Sequence, residues 1–570
     1  MAKFLIIVPP LRAKATYYPP FGALYIASAL RSAGHHVQML NVDVERIGVP
    51  EVMKRLHSFS PDIIGITGIV STVYKYIKEI SQIIKKELPG IKIILGGSIS
   101  AAAEIVLKNT VIDVVVKGEG EITINELTPC LLNSGDLSKV NGIMFRDGNN
   151  NIVQTPPREQ IKDIDELPYP AIDLLDMNHY LVDPLDYIKG SREAGYEDVD
   201  PRFFEPHRRG KKQMVVHTAR GCTNRCTFCQ RHMKGIRVNS FDYLLKYLEY
   251  LMDKYNVGFF SLGAELFLPS KKLYREFLEE IKKRKLDFLY FITGARVNTV
   301  DKEILQGLKE TGCWMIEYGF ESGSQKMLDI MEKGVTVEQN VQAVKWTMEA
   351  GLYTVPGIII GMPGEAPSTV KESIDALKSL NLNWHQTYCN FPLALPGSPL
   401  YEYAVLNRLV TDGDKYLEQV SDVDATLLVH KKGSGSGFVN YTEYPDDVVK
   451  GWKVMVIKEL EMHYIKNKLK GNFLVNYFKF MIMRRIKTVL AILDREGFGK
   501  WLAFVFKRVW LLLIVKRIFK TNRKDNEIKV VETSRKIIPE NVQINNDGKE
   551  IVRSISLRKI IKNLNEKNEE

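Results

Sequence analysis

The run Arg220-Gly-Cys222-Thr-Asn-Arg-Cys226-Thr-Phe-Cys229 places three thiols within eight positions. Zinc is usually held by four ligands in two separated pairs, whereas a tight run of thiolates suits iron and sulfide. Three cysteines fill three corners of a four-iron cluster and leave one iron without a protein ligand, so a small molecule can chelate it. Such a centre is catalytic and not merely an electron store. Phe228 puts an aromatic ring directly before the last cysteine. The alternative is a zinc ion completed by His217 or His232, in a non-catalytic protein that senses zinc or redox state. Cys130, Cys313 and Cys389 are scattered, and each reads as a small buried hydrophobe.

The elements around the cysteines belong to a β/α alternation. Met214 to Thr218 reads as a strand leading straight into the motif, and further strand ends fall near Ser261, Phe291 to Thr293, Ile316 to Phe320, Gly357 to Gly361 and Thr387 to Phe391. About six β/α units make a partial barrel over 206–430, with its chemistry at the C-terminal face of the strands. Residues 1–140 carry an earlier alternation, with strands over Phe4 to Val8, His36 to Val42, Asp62 to Thr67, Lys92 to Leu95 and Asp113 to Val116. Five such strands predict a Rossmann-like, doubly wound α/β domain whose ligand lies at the strands' C-terminal ends. Those ends are rich in small residues: Ser71 and Thr72, Gly96-Gly97-Ser98, and Gly118-Glu119-Gly120-Glu121. Residues 141–205 read as a proline-containing connector.

With 570 residues, 45% of them hydrophobic and 26% charged, most of the chain is expected to be globular and divided into about three domains. Six cysteines in so long a chain argue against a disulfide framework and for a reducing cytoplasm. The N-terminus is apolar for only about five residues before Pro9-Pro10, too few for a signal peptide or a membrane span. The net charge of +11 is concentrated: between Gly451 and Lys524 there are 18 Lys/Arg against 4 Asp/Glu. That stretch lies in a helical, basic and apolar region, 431–520, which includes Phe473 to Lys487 and Trp501 to Arg517. Its longest apolar run, Val509 to Val515, is far short of the roughly 20 residues of a span, so contact with a membrane surface or packing on the barrel is expected. Residues 521–570 read as a polar, disordered tail. No nucleic-acid-binding module is recognised.

Cys-x-x-x-Cys-x-x-Cys after the first strand of a β/α barrel resembles the radical S-adenosylmethionine superfamily. The resemblance implies that Cys222, Cys226 and Cys229 ligate a 4Fe-4S cluster whose open iron binds the amino and carboxylate groups of S-adenosylmethionine. It implies cofactor contacts at Phe228, at Gly263 and Glu265 near the methionine amino group, at Glu321 and Ser322 near the ribose and carboxylate, and at Ile359 and Gly361 near the adenine. Arg296 is a weaker candidate for neutralising a carboxylate. A doubly wound domain before such a barrel resembles the cobalamin-binding subgroup, over roughly residues 1–430. That subgroup implies a corrinoid against Ser71, Thr72, Gly96, Gly97 and Ser98, with Gly118 nearby. The loop after the first strand, Pro9 to Pro20, has no histidine to bind cobalt, and Asp43-Val-Glu45-Arg-Ile-Gly48 resembles the usual motif only by coincidence. A methylthiotransferase is disfavoured because residues 1–200 contain only Cys130. The expectation is a cytoplasmic enzyme, peripheral at the inner membrane face if the basic region touches lipid. It would methylate an unactivated carbon of a small-molecule or lipid substrate, using electrons from flavodoxin or ferredoxin. A radical cyclase or rearrangement enzyme is the alternative.

Overall fold

A computed structural model describes residues 1–12, 15–186, 199–231, 233–383, 386–421 and 438–469, with shorter stretches at 473, 475–477, 480, 542–544, 550–552 and 556–569. Its N-terminal sheet runs in the order β2-β1-β3-β4-β5-β6-β7, comprising Lys3–Val8 (β1), His36–Asn41 (β2), Ile63–Thr67 (β3), Lys92–Gly96 (β4), Val114–Val116 (β5), Ile143–Arg146 (β6) and Ile152–Gln154 (β7). The first five strands are parallel, with Phe4 opposite both Val37 and Ile63. Parallel strands are covered by helices on both faces and therefore read as unbroken apolar runs. In β1 every residue after Lys3 is buried. The helix Tyr74–Glu87 shows the complementary pattern, burying Tyr74, Ile77, Ile80, Ser81 and Ile84 along one stripe.

The sheet extends past residue 140, into the segment the sequence assigned to a connector. β6 and β7 add two antiparallel strands beside β5. They are only four and three residues long, too short for an alternation to stand out from a loop.

The second sheet runs β16-β15-β13-β12-β11-β8, with β14 also pairing β13. Its strands are Lys212–His217 (β8), Val257–Gly263 (β11), Leu289–Ala295 (β12), Cys313–Glu321 (β13), Tyr353–Thr354 (β14), Gly357–Ile359 (β15) and Tyr388–Asn390 (β16). All pairings are parallel, giving an open six-stranded arc. An antiparallel pair, Ala219–Cys222 (β9) and Gly235–Val238 (β10), rises from the end of β8 and carries the first motif cysteine. The intervening helices begin at side-chain caps: Ser240, Ser270 and Asp301 each accept a backbone N–H from the first turn, and Thr336 with Gln339 forms a capping box.

The helix Asp446–Asn467 packs on this arc through Val449, Trp452, Val456 and Leu460. The membrane reading concerns Phe473 to Lys487 and Trp501 to Arg517, which lie almost wholly outside the described residues. No helix of the described residues is long and apolar enough to cross a membrane. The tail expectation is corrected at its end, where Leu557–Glu569 is a helix that buries Leu557, Ile560 and Ile561 against Leu400, Tyr403 and Ala404. Full burial of each such side chain contributes about 1.5–3 kcal/mol. The stripe was hidden by the lysine-rich composition around it.

Candidate functional site

The three thiols lie on the turn between β9 and β10. Cys222 ends β9 opposite Gly235, Cys226 is buried, and Cys229 is reachable by solvent although deeply surrounded by protein. Burial raises the Cys226 thiol, and burial together with the neighbouring thiols pushes Cys229 up to about 11. Both are therefore neutral at pH 7 until a metal displaces their protons. Asn224 donates its backbone N–H to Cys222 Sγ at 3.4 Å and its side-chain amide to Cys226 Sγ at 3.6 Å. Thr227, fully buried, is stapled by its N–H to Met331 O (2.9 Å) and its hydroxyl to Ile330 O (3.2 Å), and its own carbonyl accepts from Leu400 N (2.9 Å). Of the two histidines of the zinc alternative, His217 ends β8 and His232 lies outside the described residues.

Around this turn stand the C-terminal ends of the barrel strands. On β13 alternate side chains are buried in the helix layer, while Glu317, Gly319 and Glu321 take the opposite face. Glu321 accepts an ion pair from Lys333 Nζ at 2.9 Å. Burial works against the Lys333 charge, and Glu321 and Cys226 outweigh it, so its pKa is raised. A Cβ on Gly319 would fall 2.3 Å from Glu321 Oε1 and 2.5 Å from Lys333 Nζ, so a side chain there would displace the ends of both charged groups. Glu265, after β11, accepts the backbone N–H of Gly221 at 3.3 Å, next to Cys222. Arg296 donates to Lys333 O at 3.0 Å and is lowered by burial; it buttresses the Lys333 turn. Gly361 donates its N–H to Glu365, a buried carboxyl that burial raises from 4.5 to about 7.

Several expected residues thus converge, namely Cys222, Cys226, Cys229, Glu265 and Glu321. Phe228 packs into the apolar cluster behind the turn. Ile359 is half-buried on β15, and Gly263 ends β11 against Thr293. Ser322 is buried, and its hydroxyl is held by Ser373 Oγ (3.0 Å) and Ser324 N (3.1 Å). Lys333 and Asn224 escaped the sequence reading. Each stands beside a motif residue, but no spacing marks either of them.

At the C-terminal edge of the first sheet, Ser71 and Thr72 are buried, and neither hydroxyl has a hydrogen-bond partner among the described residues. Buried hydroxyls are normally paired, and two adjacent orphans mark places a polar ligand would fill. Gly96 and Gly118 open onto free space. Gly97, at φ +88°, lies so close to Gly68 that a Cβ would approach its carbonyl oxygen to 2.6 Å. Ser98 donates its hydroxyl to Ile69 O. The Gly118–Glu121 turn does more than border this edge. Glu119 takes Arg220 (2.8 Å) and Arg237 (2.7 Å), and Glu121 takes Arg220 (2.6 Å), so the cysteine hairpin is clamped to the N-terminal domain by a buried charge network. Burial alone would raise Glu119, but the two guanidinium groups hold its pKa below the ordinary value. Gln230, directly after Cys229, donates to Ser98 O at 3.0 Å and to Pro396 O at 2.7 Å. His217, at the end of β8, stacks on Phe21 of the N-terminal domain with ring centroids 4.4 Å apart. Its imidazole is exposed at the end of the strand. In place of a cobalt-binding histidine, the loop after β1 is pinned by Asp43, which accepts from Leu11 N (2.6 Å), Thr16 N (3.0 Å) and Thr16 Oγ1 (2.8 Å).

The orphan hydroxyls, the open glycine edge and the three thiols fit a corrinoid and an iron–sulfur cluster on either side of one cleft. Comparison with known proteins agrees. Residues 11–128 match the B12 binding domain, and 216–377 match the Radical SAM superfamily. An uncharacterized methyltransferase of Pyrococcus horikoshii is 30% identical over 420 residues, covering 72% of this chain and 84% of the relative. The anaerobic magnesium-protoporphyrin IX monomethyl ester cyclase of Rubrivivax gelatinosus is 26% identical over 411 residues, covering 70% and 68%. The solved structure of the cobalamin-dependent S-adenosylmethionine radical enzyme OxsB, with aqua-cobalamin and S-adenosylmethionine bound, superposes with a TM-score of 0.60 at 18% identity, covering 91% of this chain and 80% of that one. With both domains in this order and a relative matched over most of its length, the chain belongs to the cobalamin-binding subgroup of the radical S-adenosylmethionine enzymes.

Proposed function

We propose that this enzyme transfers a methyl group to an unactivated carbon of a small-molecule or lipid substrate. When bound, the cluster supplies the electron that cleaves S-adenosylmethionine into a hydrogen-abstracting radical, and the corrinoid supplies the methyl group. Cys222, Cys226 and Cys229 would hold the cluster. Glu265 and the Glu321–Lys333 pair, opposite charges set close to the thiols, would orient the charged ends of the methionine moiety. Gly361 and Ile359 would border the adenine. Ser71, Thr72 and the Gly96–Ser98 edge would take the corrinoid tail.

The observation that carries this reading is the direct bond from Gln230, one residue past the last thiol, to Ser98 O on the corrinoid-facing edge. It ties the radical source and the methyl source to one cleft. Incubating the anaerobically reconstituted enzyme with methyl-labelled S-adenosylmethionine tests it: label is expected in the corrinoid, and 5′-deoxyadenosine in solution once substrate is supplied. Formation of 5′-deoxyadenosine with no label on the corrinoid would instead support radical cyclisation, the reading favoured by similarity to the cyclase. A one-electron donor of the flavodoxin or ferredoxin class and contact of the basic 470–520 region with an anionic membrane face complete the proposal. The charge concentration of that region supports the second of these.

A further inference from the structure

The helix Leu557–Glu569, almost at the chain's end, reaches the cysteine turn. Arg558 donates from Nη1 to the carbonyl oxygen of Arg225 at 2.8 Å, and the same guanidinium pairs with Glu332. Arg225 directly precedes Cys226, and Glu332 directly precedes Lys333, whose carbonyl takes the Asn224 amide at 2.9 Å. One side chain therefore ties together the thiol-bearing turn and the turn that presents the Glu321–Lys333 pair. The helix is seated for this by Leu557, Ile560 and Ile561, buried against the helix Pro399–Leu406. The N-terminal turn of that second helix is itself bonded to the cysteine turn, through Leu400 N to Thr227 O at 2.9 Å.

We propose that the C-terminal helix is a latch on the cluster loop and that Arg558 is a positioning residue for it. The cysteine turn is short of regular structure between β9 and β10, so its backbone is held by individual hydrogen bonds. Those at Asn224 and Thr227 come from Ile330, Met331 and Lys333, at the end of the helix after β13, and that at Arg225 comes from the latch. Fixing the Arg225 carbonyl sets where Cys226 stands relative to Cys222 before any cluster is present. The loop is thereby preorganised by a segment more than 300 residues away in sequence.

The latch rests on the cluster assignment in only one arm of its test. In the full-length apo protein, amide hydrogen exchange over residues 222–231 is compared between wild type, Arg558→Ala and Arg558→Lys. Exchange there is expected to rise about fivefold or more in R558A, with unchanged protection in β1, β3 and β4, and to return toward wild type in R558K. In the second arm, the anaerobically reconstituted proteins are challenged with an iron chelator. Iron loss is expected to be several-fold faster in R558A than in wild type, with R558K close to wild type. Wild-type exchange over 222–231 in R558A would overturn the latch. Faster exchange with wild-type iron retention would overturn the positioning role. If wild type takes up no iron at all, the cluster assignment fails, and the exchange arm still decides the latch.

Discussion

The Glu321–Lys333 pair sits close to the thiols and is enclosed enough that neither charge can be replaced freely by water, with both side chains 15% exposed or less. Removing one partner of a buried pair leaves the other uncompensated. Lys333→Met is therefore expected to weaken S-adenosylmethionine binding about tenfold, near 1.4 kcal/mol. Gly319→Ala, which drives a methyl into both charged groups, is expected to do the same with no change of charge. Equilibrium dialysis of the reconstituted variants measures both. Ser71 and Thr72 invite the opposite signature. Their hydroxyls are buried without partners, a state that costs about 1–3 kcal/mol each. The double variant S71A/T72V is expected to melt at the same temperature as the wild-type apo protein or higher, yet to retain less corrinoid on gel filtration. A wild-type corrinoid content would remove these residues from the site. The thiols were legible because cluster chemistry imposes their spacing on the sequence, whereas Glu265 and Glu321 were reached only through the family resemblance. The Ser322 hydroxyl contact with Ser373 could not be read from sequence, since the two lie 51 residues apart. Lys333 was missed because its partner lies on another element.

At the scale of elements, the turn that follows β15 at Gly361 carries a pH-sensitive support. Glu365 is buried, accepts from Gly361 N (3.2 Å) and Thr369 Oγ1 (3.0 Å), and has its pKa raised from 4.5 to about 7. In that window the folded state holds a proton that the unfolded chain has released, so stability from this group is lost as pH rises from about 4.5 to 7. The loss amounts to about 3 kcal/mol. Glu365→Gln keeps a neutral hydrogen-bonding group. Its denaturation midpoint relative to wild type is expected to increase between pH 5 and 8, and a constant difference would refute the assignment. The strands were legible wherever both faces are buried: β1 and β11 are unbroken apolar runs. β6 and β7 were not, because strands so short leave no period to detect. The helix Leu557–Glu569 was hidden for a related reason. Only three of its residues pay back burial, and they are diluted by lysine and asparagine.

At the scale of the whole molecule, two parallel sheets set their C-terminal edges around one cleft, held by the buried Arg220–Glu119–Arg237 network and by Gln230. Sequence patterning identified both sheets and the face on which each does its chemistry, since the rule that ligands sit at strand C-termini is local to each domain. Their juxtaposition was not legible. Glu119 in a glycine turn and Arg220 before a cysteine motif are 101 residues apart, and nothing local to either announces the other. The central claim is that Cys222, Cys226 and Cys229 hold a four-iron cluster with one iron left for S-adenosylmethionine. Electron paramagnetic resonance of the anaerobically reconstituted, dithionite-reduced protein, recorded before and after addition of S-adenosylmethionine, tests it most directly. The account predicts about four irons per chain and a reduced-cluster signal that changes shape when S-adenosylmethionine is added. A signal unaltered by S-adenosylmethionine, or one that survives Cys226→Ala unchanged, would contradict it.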